Sequence, residues 1–223
     1  MKQHKDRAII LARVDYGEKD RILTLLCQEQ GKVSVLAKSV RAQKSRLAGG
    51  IELLSESEVS FIDGRTNVSP LTSARLRVHF DRLAGDIHKM QQAFGFIKTV
   101  NEITEEGTGQ EYYQALLNGL TALNDDVYDP RLVETWFNLQ MLHLSGSAPN
   151  LQIQNETSEH FEFDYDNQKF IPSEQGTYKK NDLKLLRLSV SQSKPPKIQD
   201  ELGSEDRLLG LTRTLLKINL TEV

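Results

Sequence analysis

Cysteine is all but absent from this sequence. Cys27 stands alone, so the chain forms no internal disulfide and no cysteine-rich zinc ribbon. Leu25 and Leu26 beside it predict a buried, inert thiol rather than a nucleophile. Long hydrophobic runs are missing too: Ala8 to Ala12 is ended by Arg13, and nothing approaches the roughly 20 apolar residues of a membrane-crossing helix. The polar start MKQHKDR leads into that run with no small-residue cleavage site, so no secretory signal and a cytoplasmic location are expected.

Catalytic signatures are equally scarce. Gly31-Lys32 fails the spacing of a phosphate loop, because Leu26 and Val33 stand where glycine and a hydroxyl residue are required. His4, His79, His88, His143 and His160 are scattered and form no H-x-x-x-H pair, so ordinary core or surface imidazoles are expected. Glu156, Glu159, Glu162, Asp164 and Asp166 lack the Asp/Asn and Gly spacing of a calcium loop and read as a solvated acidic face. The expectation is a protein with no cofactor, no metal and no enzymatic activity.

What is present is an ordinary globular composition, 38% hydrophobic and 26% charged, in a 223-residue chain with room for more than one module. Its net charge of -3 conceals an asymmetry: residues 1–80 hold 14 Lys and Arg against 9 Asp and Glu, and the remainder 14 against 22. A basic front and an acidic back point to a polyanion-binding module followed by something else.

From Arg7 to about Val78 the hydrophobic pattern has period two. Ala8, Ile10, Ala12 and Val14 alternate with Ile9, Leu11 and Arg13; Arg21 to Cys27 and Lys32 to Lys38 flank Gln28 to Gly31; two more runs follow, Leu53 to Ile62 and Leu71 to Val78. Five short strands without a helical segment predict a small barrel, with the five-stranded oligonucleotide-binding (OB) fold as candidate over residues 1–79. At His79 the period changes. Phe80, Leu83, Ile87, Met90, Phe94, Ile97 and Val100 step by 3 and 4 along one predicted helix. Thr108 and Glu111 suggest a capping box for a second, and Asp129-Pro130 starts a third that carries Val133, Trp136, Phe137, Met141 and Leu144. These make a helical bundle over 80–149. Residues 150–180 are polar, acidic and aromatic and read as an irregular or hairpin-like insertion, after which 181–223 supply two further helices. The fold class is α+β.

One segment carries chemistry. From Gly31 to Gly50 the chain has Lys32, Lys38, Arg41, Lys44 and Arg46 and no acid. With Val33, Val35 and Ala37 facing a core, Lys32 and Lys38 share the opposite face and the other cations follow on a loop, a track suited to phosphates without demand for a base sequence. Arg75 and Arg77, on one face of the fifth strand, extend it. A lysine-protected strand edge gives the same pattern.

The run from Ala8 to Asn67 resembles the N-terminal domain of the bacterial recombination mediator family RecO. The residues that carry the likeness are Tyr16, Glu18, Asp20 and Arg21, then Gly31, Lys32, Leu36, Ala37, Lys38, Arg41, Lys44, Ser45, Leu47, Ala48 and Gly49, with Ser39 where the family usually has Gly. The resemblance implies an OB barrel, a helical domain, and binding and annealing of single- and double-stranded DNA. It also implies help in loading RecA onto strands covered by single-stranded DNA-binding protein (SSB), with RecR and the acidic SSB tail as partners. Many members bind zinc through four cysteines after the position of Pro149; none occurs here, so a metal-free insertion is expected. If the tail docks on the helical part, Arg131 beside Trp136 is the first choice for its site, although Arg131 reads more readily as a solvated residue of a first helical turn. Arg21 reads as structural as readily as DNA-contacting. Two other functions fit the residues, an RNA-binding OB module and a protein-only adaptor.

Overall fold

The computed structural model describes residues 2–43, 45, 47–64, 67–153, 158–197 and 203–220. Two compact units divide the chain after Asn124, residues 1–124 and 125–223. The division falls between the second and third helices. The expected 80–149 bundle is therefore not one body, because the first two helices pack on strands and the third packs on the last two helices.

In the first unit β1 (Gln3–Tyr16), β2 (Asp20–Cys27), β3 (Gly31–Ala37), β4 (Ser55–Ile62) and β5 (Val68–His79) close into a barrel in the order β1-β2-β3-β5-β4. All pairings are antiparallel except β3 with β5, joined through Ser34, Val35 and Leu36 opposite Val68, Ser69 and Pro70. Ala8, Ile10, Leu23, Leu25, Val35, Ala37, Val59 and Phe61 fill the interior with Cys27, whose thiol burial pushes its pKa up. Leu11 falls at a register shift between Ile10 and Ala12. Asp6 is buried and accepts the backbone N–H groups of Glu29 and Gln30 at 3.0 and 2.9 Å, so β1 fixes the β2–β3 turn.

The predicted long helix from Phe80 is broken. Phe80 and Leu83 are buried around a 3-10 turn, Asp81–Gly85, and α1 (Ile87–Ile103) starts afresh at Asp86, whose carboxylate accepts the N–H groups of His88 and Lys89. The restart shifts the buried face to Ala93, Phe96, Ile97 and Val100 and leaves Ile87 and Phe94 exposed. α2 (Gln110–Leu123) has Gly109 at its N-cap with φ 91°, while the Thr108 hydroxyl bonds back to Glu105, so the expected capping box does not form.

The second unit contains α3 (Pro130–Leu144), a sheet in the order β7-β6-β8, α4 (Lys180–Ser191) and α5 (Glu205–Leu220). Asp129 and Pro130 start α3 as the sequence predicts. The Gln140 amide of α3 donates to the Ser189 and Val190 carbonyls at the end of α4. The insertion is hairpin-like: β6 (His160–Asp164) pairs with β7 (Lys169–Pro172) and β8 (Tyr178–Lys179). Phe163, Phe170 and Tyr178 meet edge to face at 4.9 and 5.2 Å, joining a core with Phe161, Leu183, Leu186 and Leu208. A four-cysteine zinc site does not fit these residues, and the described residues hold no cluster of three His, Cys, Asp or Glu able to grip a cation.

Candidate nucleic-acid interface

Strand register divides the outer surface of the barrel into a covered and an open part. One row runs Glu56, Ile9, Leu26, Lys32 across β4, β1, β2 and β3. It lies under helix: Ile9 and Leu26 are fully buried, and the Tyr113 hydroxyl of α2 donates to Glu56 at 2.6 Å. Further along the same strands a second row runs Val14, Ile22, Leu36, Pro70 across β1, β2, β3 and β5. No charged residue interrupts it. Val14 is 63% exposed and Tyr16, at the end of β1, is 56% exposed, so this face has an apolar strip open to solvent.

Cations stand beside it. Lys38 is exposed just past the end of β3. Arg41 follows, tied back by its own N–H to the Lys19 carbonyl at 2.9 Å, with its guanidinium 3.5 Å from Asp15. Arg21 donates to Asp15 at 2.8 Å. That hydrogen bond, with the charge of Arg41 beside it, holds the Asp15 carboxyl below its usual range. Arg21 is therefore a strut between β1 and β2, and Lys38 and Arg41 are the outward cations. Ser39 between them has φ 52°, the left-handed region where glycine is the usual choice, and its N–H donates to Asp20 at 2.7 Å.

Lys32 has another role. Its ammonium donates to the Asn101 and Thr104 carbonyls at 2.6 and 2.8 Å, at the C-terminal end of α1, where orphan carbonyls and the helix dipole favour a cation. Burial holds its pKa below the ordinary lysine value against the opposing pull of Glu106. Gly31 completes this clasp. A side-chain carbon there would stand 2.3 Å from the Thr108 carbonyl oxygen, so only glycine lets the 104–109 loop bond to Lys32 through its N–H and C=O, each at 2.8 Å. The Gly-Lys pair thus locks a helix to the barrel, and Lys32 is removed from the phosphate track.

The other expected contacts are dispersed. Lys44 and Arg46 lie outside the described residues. Arg75 is exposed but lies across from Glu58, which also pairs with Lys5 at 3.2 Å. Arg77 sits at a register shift, 3.7 Å from the buried carboxylate of Glu56. Each of the two arginines thus stands next to an outward acid of β4, Arg75 across from Glu58 and Arg77 beside Glu56. In the second unit Trp136 is fully buried and its indole N–H donates to the Gln192 carbonyl at 2.9 Å. The Arg131 guanidinium is held by Asp129 at 2.7 Å and by Asp206 at 3.3 Å. No pocket can form on a core tryptophan, so the expected tail site at Arg131 and Trp136 is not there. The acidic segment also has structural work: Asp164 accepts the N–H groups that turn β6 into β7, and Glu159 pairs with Lys180.

What sequence reasoning missed is the open strip. Val14 and Ile22 look like core residues in a linear reading, whereas alternation already sets Leu36 on the outward face with Lys32 and Lys38; only the cross-strand register places the three together. Tyr16 at the end of an alternating strand was the available signal.

The description "Recombination protein O N terminal" belongs to the family model that matches residues 1–92, the segment containing the open strip, Lys38 and Arg41. The chain is a relative of the RecO family. A DNA repair protein RecO from Heliobacterium modesticaldum is 33% identical over 153 residues, which cover 69% of this chain and 55% of that protein. Another from Desulfatibacillum aliphaticivorans is 33% identical over 147 residues, covering 65% and 57%. A third, from Acetivibrio thermocellus, is 30% identical over 146 residues, covering 65% and 58%. The chain thus spans somewhat more than half the length of these RecO relatives. Among the described residues no helix is long and apolar enough to cross a membrane.

Proposed function

We propose that this chain is a non-enzymatic DNA repair and recombination protein. It binds DNA on the open face of its barrel, anneals complementary strands and assists the loading of RecA onto SSB-coated single strands, with RecR and the SSB tail as partners, in the cytoplasm at the nucleoid. The barrel is read as an OB fold, which the order β1-β2-β3-β5-β4 and the single parallel pairing of β3 with β5 support.

The observation that carries the reading is the uncharged, partly exposed strip of Val14, Tyr16, Ile22, Leu36 and Pro70 beside Lys38 and Arg41. Unpaired bases have apolar faces and a charged backbone, and a strip rimmed by cations matches both without reading sequence. Lys44 and Arg46 are proposed with Lys38 and Arg41 from their place in the acid-free run. Annealing needs two polyanions brought together, which cations achieve by screening; no covalent bond is broken.

Fluorescence anisotropy of a labelled single-stranded oligonucleotide tests this. Lys38→Ala with Arg41→Ala should flatten the slope of log affinity against log salt by about 1.4, at about 0.7 per lost phosphate contact. Tyr16→Ala should weaken binding by about 1–3 kcal/mol, the worth of one stacked base. Wild-type affinity that survives both changes overturns the assignment, and equal affinity for RNA of the same sequence moves the reading to a general single-strand binder.

A further inference from the structure

A second cation-rich segment lies in the otherwise acidic half of the chain. Between Lys179 and Lys197 stand Lys179, Lys180, Lys184, Arg187, Lys194 and Lys197 against one acid, Asp182. That acid is withdrawn from the surface: it is 5% exposed, accepts the Lys179 N–H and pairs with Arg207 at 2.8 Å. The positive charge therefore has no compensation at the surface from within its own segment.

The fold orders these cations. α4 buries Leu183, Leu185, Leu186 and Ser189, which turns Lys184, Arg187 and Leu188 outward. Lys180, Lys184 and Arg187 stand one helical turn apart in succession, a line about 10 Å long at 1.5 Å per residue. Glu159 takes Lys180 at 2.8 Å, with its charge also reaching Lys184, and Lys197 lies 5.0 Å over the Tyr128 ring. Lys179, Lys184, Arg187 and Lys194 remain exposed. Arg187 is oriented as well as exposed. Its Nε donates to the Leu151 carbonyl at 2.8 Å, which fixes the plane of the guanidinium and leaves its two terminal amino groups for another acceptor. A planar fork of that kind suits a phosphate, which accepts two parallel hydrogen bonds.

We propose that the outer face of α4 and the segment to Lys197 form a second polyanion-binding surface, which takes the sugar-phosphate backbone of a further nucleic-acid strand without reading its bases. This rests on the reading of the barrel as the site of the first strand. An acidic peptide is the less suitable occupant. The cations are strung along a line rather than set around a pocket, and Leu188 is the one large apolar side chain exposed on α4 among the described residues, too little to anchor a peptide side chain. A protein with one cationic surface on each unit can hold two strands at once, which annealing requires.

The test uses the full chain and two non-complementary single-stranded oligonucleotides, one carrying a donor dye and one an acceptor, so that energy transfer requires one protein to hold both. Anisotropy of the donor strand alone reports the barrel. The triple change Lys184→Glu, Arg187→Glu, Lys194→Glu should abolish transfer while leaving first-strand affinity within about twofold, as expected of separate sites. Lys184→Gln with Lys194→Gln, which keeps the Arg187–Leu151 bond and hence the local fold, should reduce transfer in the same direction. Wild-type transfer in both variants overturns the proposal and leaves the barrel reading standing. A wild type that binds no oligonucleotide at low salt overturns the barrel reading first, and this proposal with it. Displacement of the acceptor strand by polyglutamate at lower charge concentration than by inorganic polyphosphate overturns it in favour of an acidic protein segment.

Discussion

Replacing Lys32 with methionine keeps the aliphatic stem and removes the ammonium that closes the end of α1. Two charge-assisted hydrogen bonds, 2.6 and 2.8 Å long, are lost. Bonds to charged groups are worth about 1.5–3 kcal/mol each in net terms, and a cation at a helix C-terminus adds about 0.3–1. The wild-type ammonium gives up part of that to desolvation, the cause of its lowered pKa. A net loss of about 2 kcal/mol is expected from the first unit, with a fall in its Tm of about 8 °C if that unit unfolds with an entropy ordinary for its size. Calorimetry of the full chain measures it. The same variant should bind single-stranded DNA with an unchanged salt slope, because Lys32 touches helix rather than phosphate. An unaltered Tm together with a slope flattened by about 0.7 would refute the clasp and restore Lys32 to the phosphate track.

Ser39→Gly should raise stability by about 0.5–1 kcal/mol in urea unfolding, since release from the left-handed region outweighs the added freedom of the unfolded chain. Asp86→Asn should flatten the acid limb of the stability curve. The bond from the Lys89 N–H holds the Asp86 carboxyl below its ordinary 3.8, so its contribution is complete above that pH and is lost as pH falls through the lower folded value. Phe163→Ala should cost about 3–5 kcal/mol in urea unfolding of the second unit by opening a cavity between Phe170 and Tyr165; a loss under about 1 would show that the aromatic sheet is not a core. Gly176→Ala should also destabilise that unit, because the added carbon meets the Phe161 backbone at 2.3 Å, and unchanged urea unfolding would show that the loop yields freely.

The strands were legible because alternation survives on any strand with one face in a core, as in Val33, Val35 and Ala37. The helices were legible where local chemistry fixed them, as at Asp129-Pro130. Two of the failures share a cause. Leu11 and the break at Asp86 each shift a register, and a periodic pattern carried across such a point assigns the wrong face to what lies beyond it. Lys32 and Trp136 failed differently. Lys32 reads as a surface cation and Trp136 as the wall of a docking site, but one is claimed by helix carbonyls about 70 positions away and the other by the carbonyl of Gln192, 56 positions away. Such partners have no signal in the local sequence. The α4 cations were plain in the sequence but invisible to net charge, because the acidic residues around them cancel the count.

The end of the family match at residue 92 and the end of the first unit at Asn124 are different kinds of boundary. A fragment cut at the former would keep every strand of the barrel and lose most of α1 and all of α2. Lys32 would then have no carbonyls to bond, Glu56 would lose the Tyr113 hydroxyl, and Ile9 and Leu26 would turn from buried neighbours into an exposed apolar seam. Such a fragment would tend to self-associate through that seam, and its oligomers would say nothing about the assembly of the intact chain. The bound of the family model and the bound of the packed unit are here different, and a fragment meant to carry the barrel's properties has to follow the second, through residue 124.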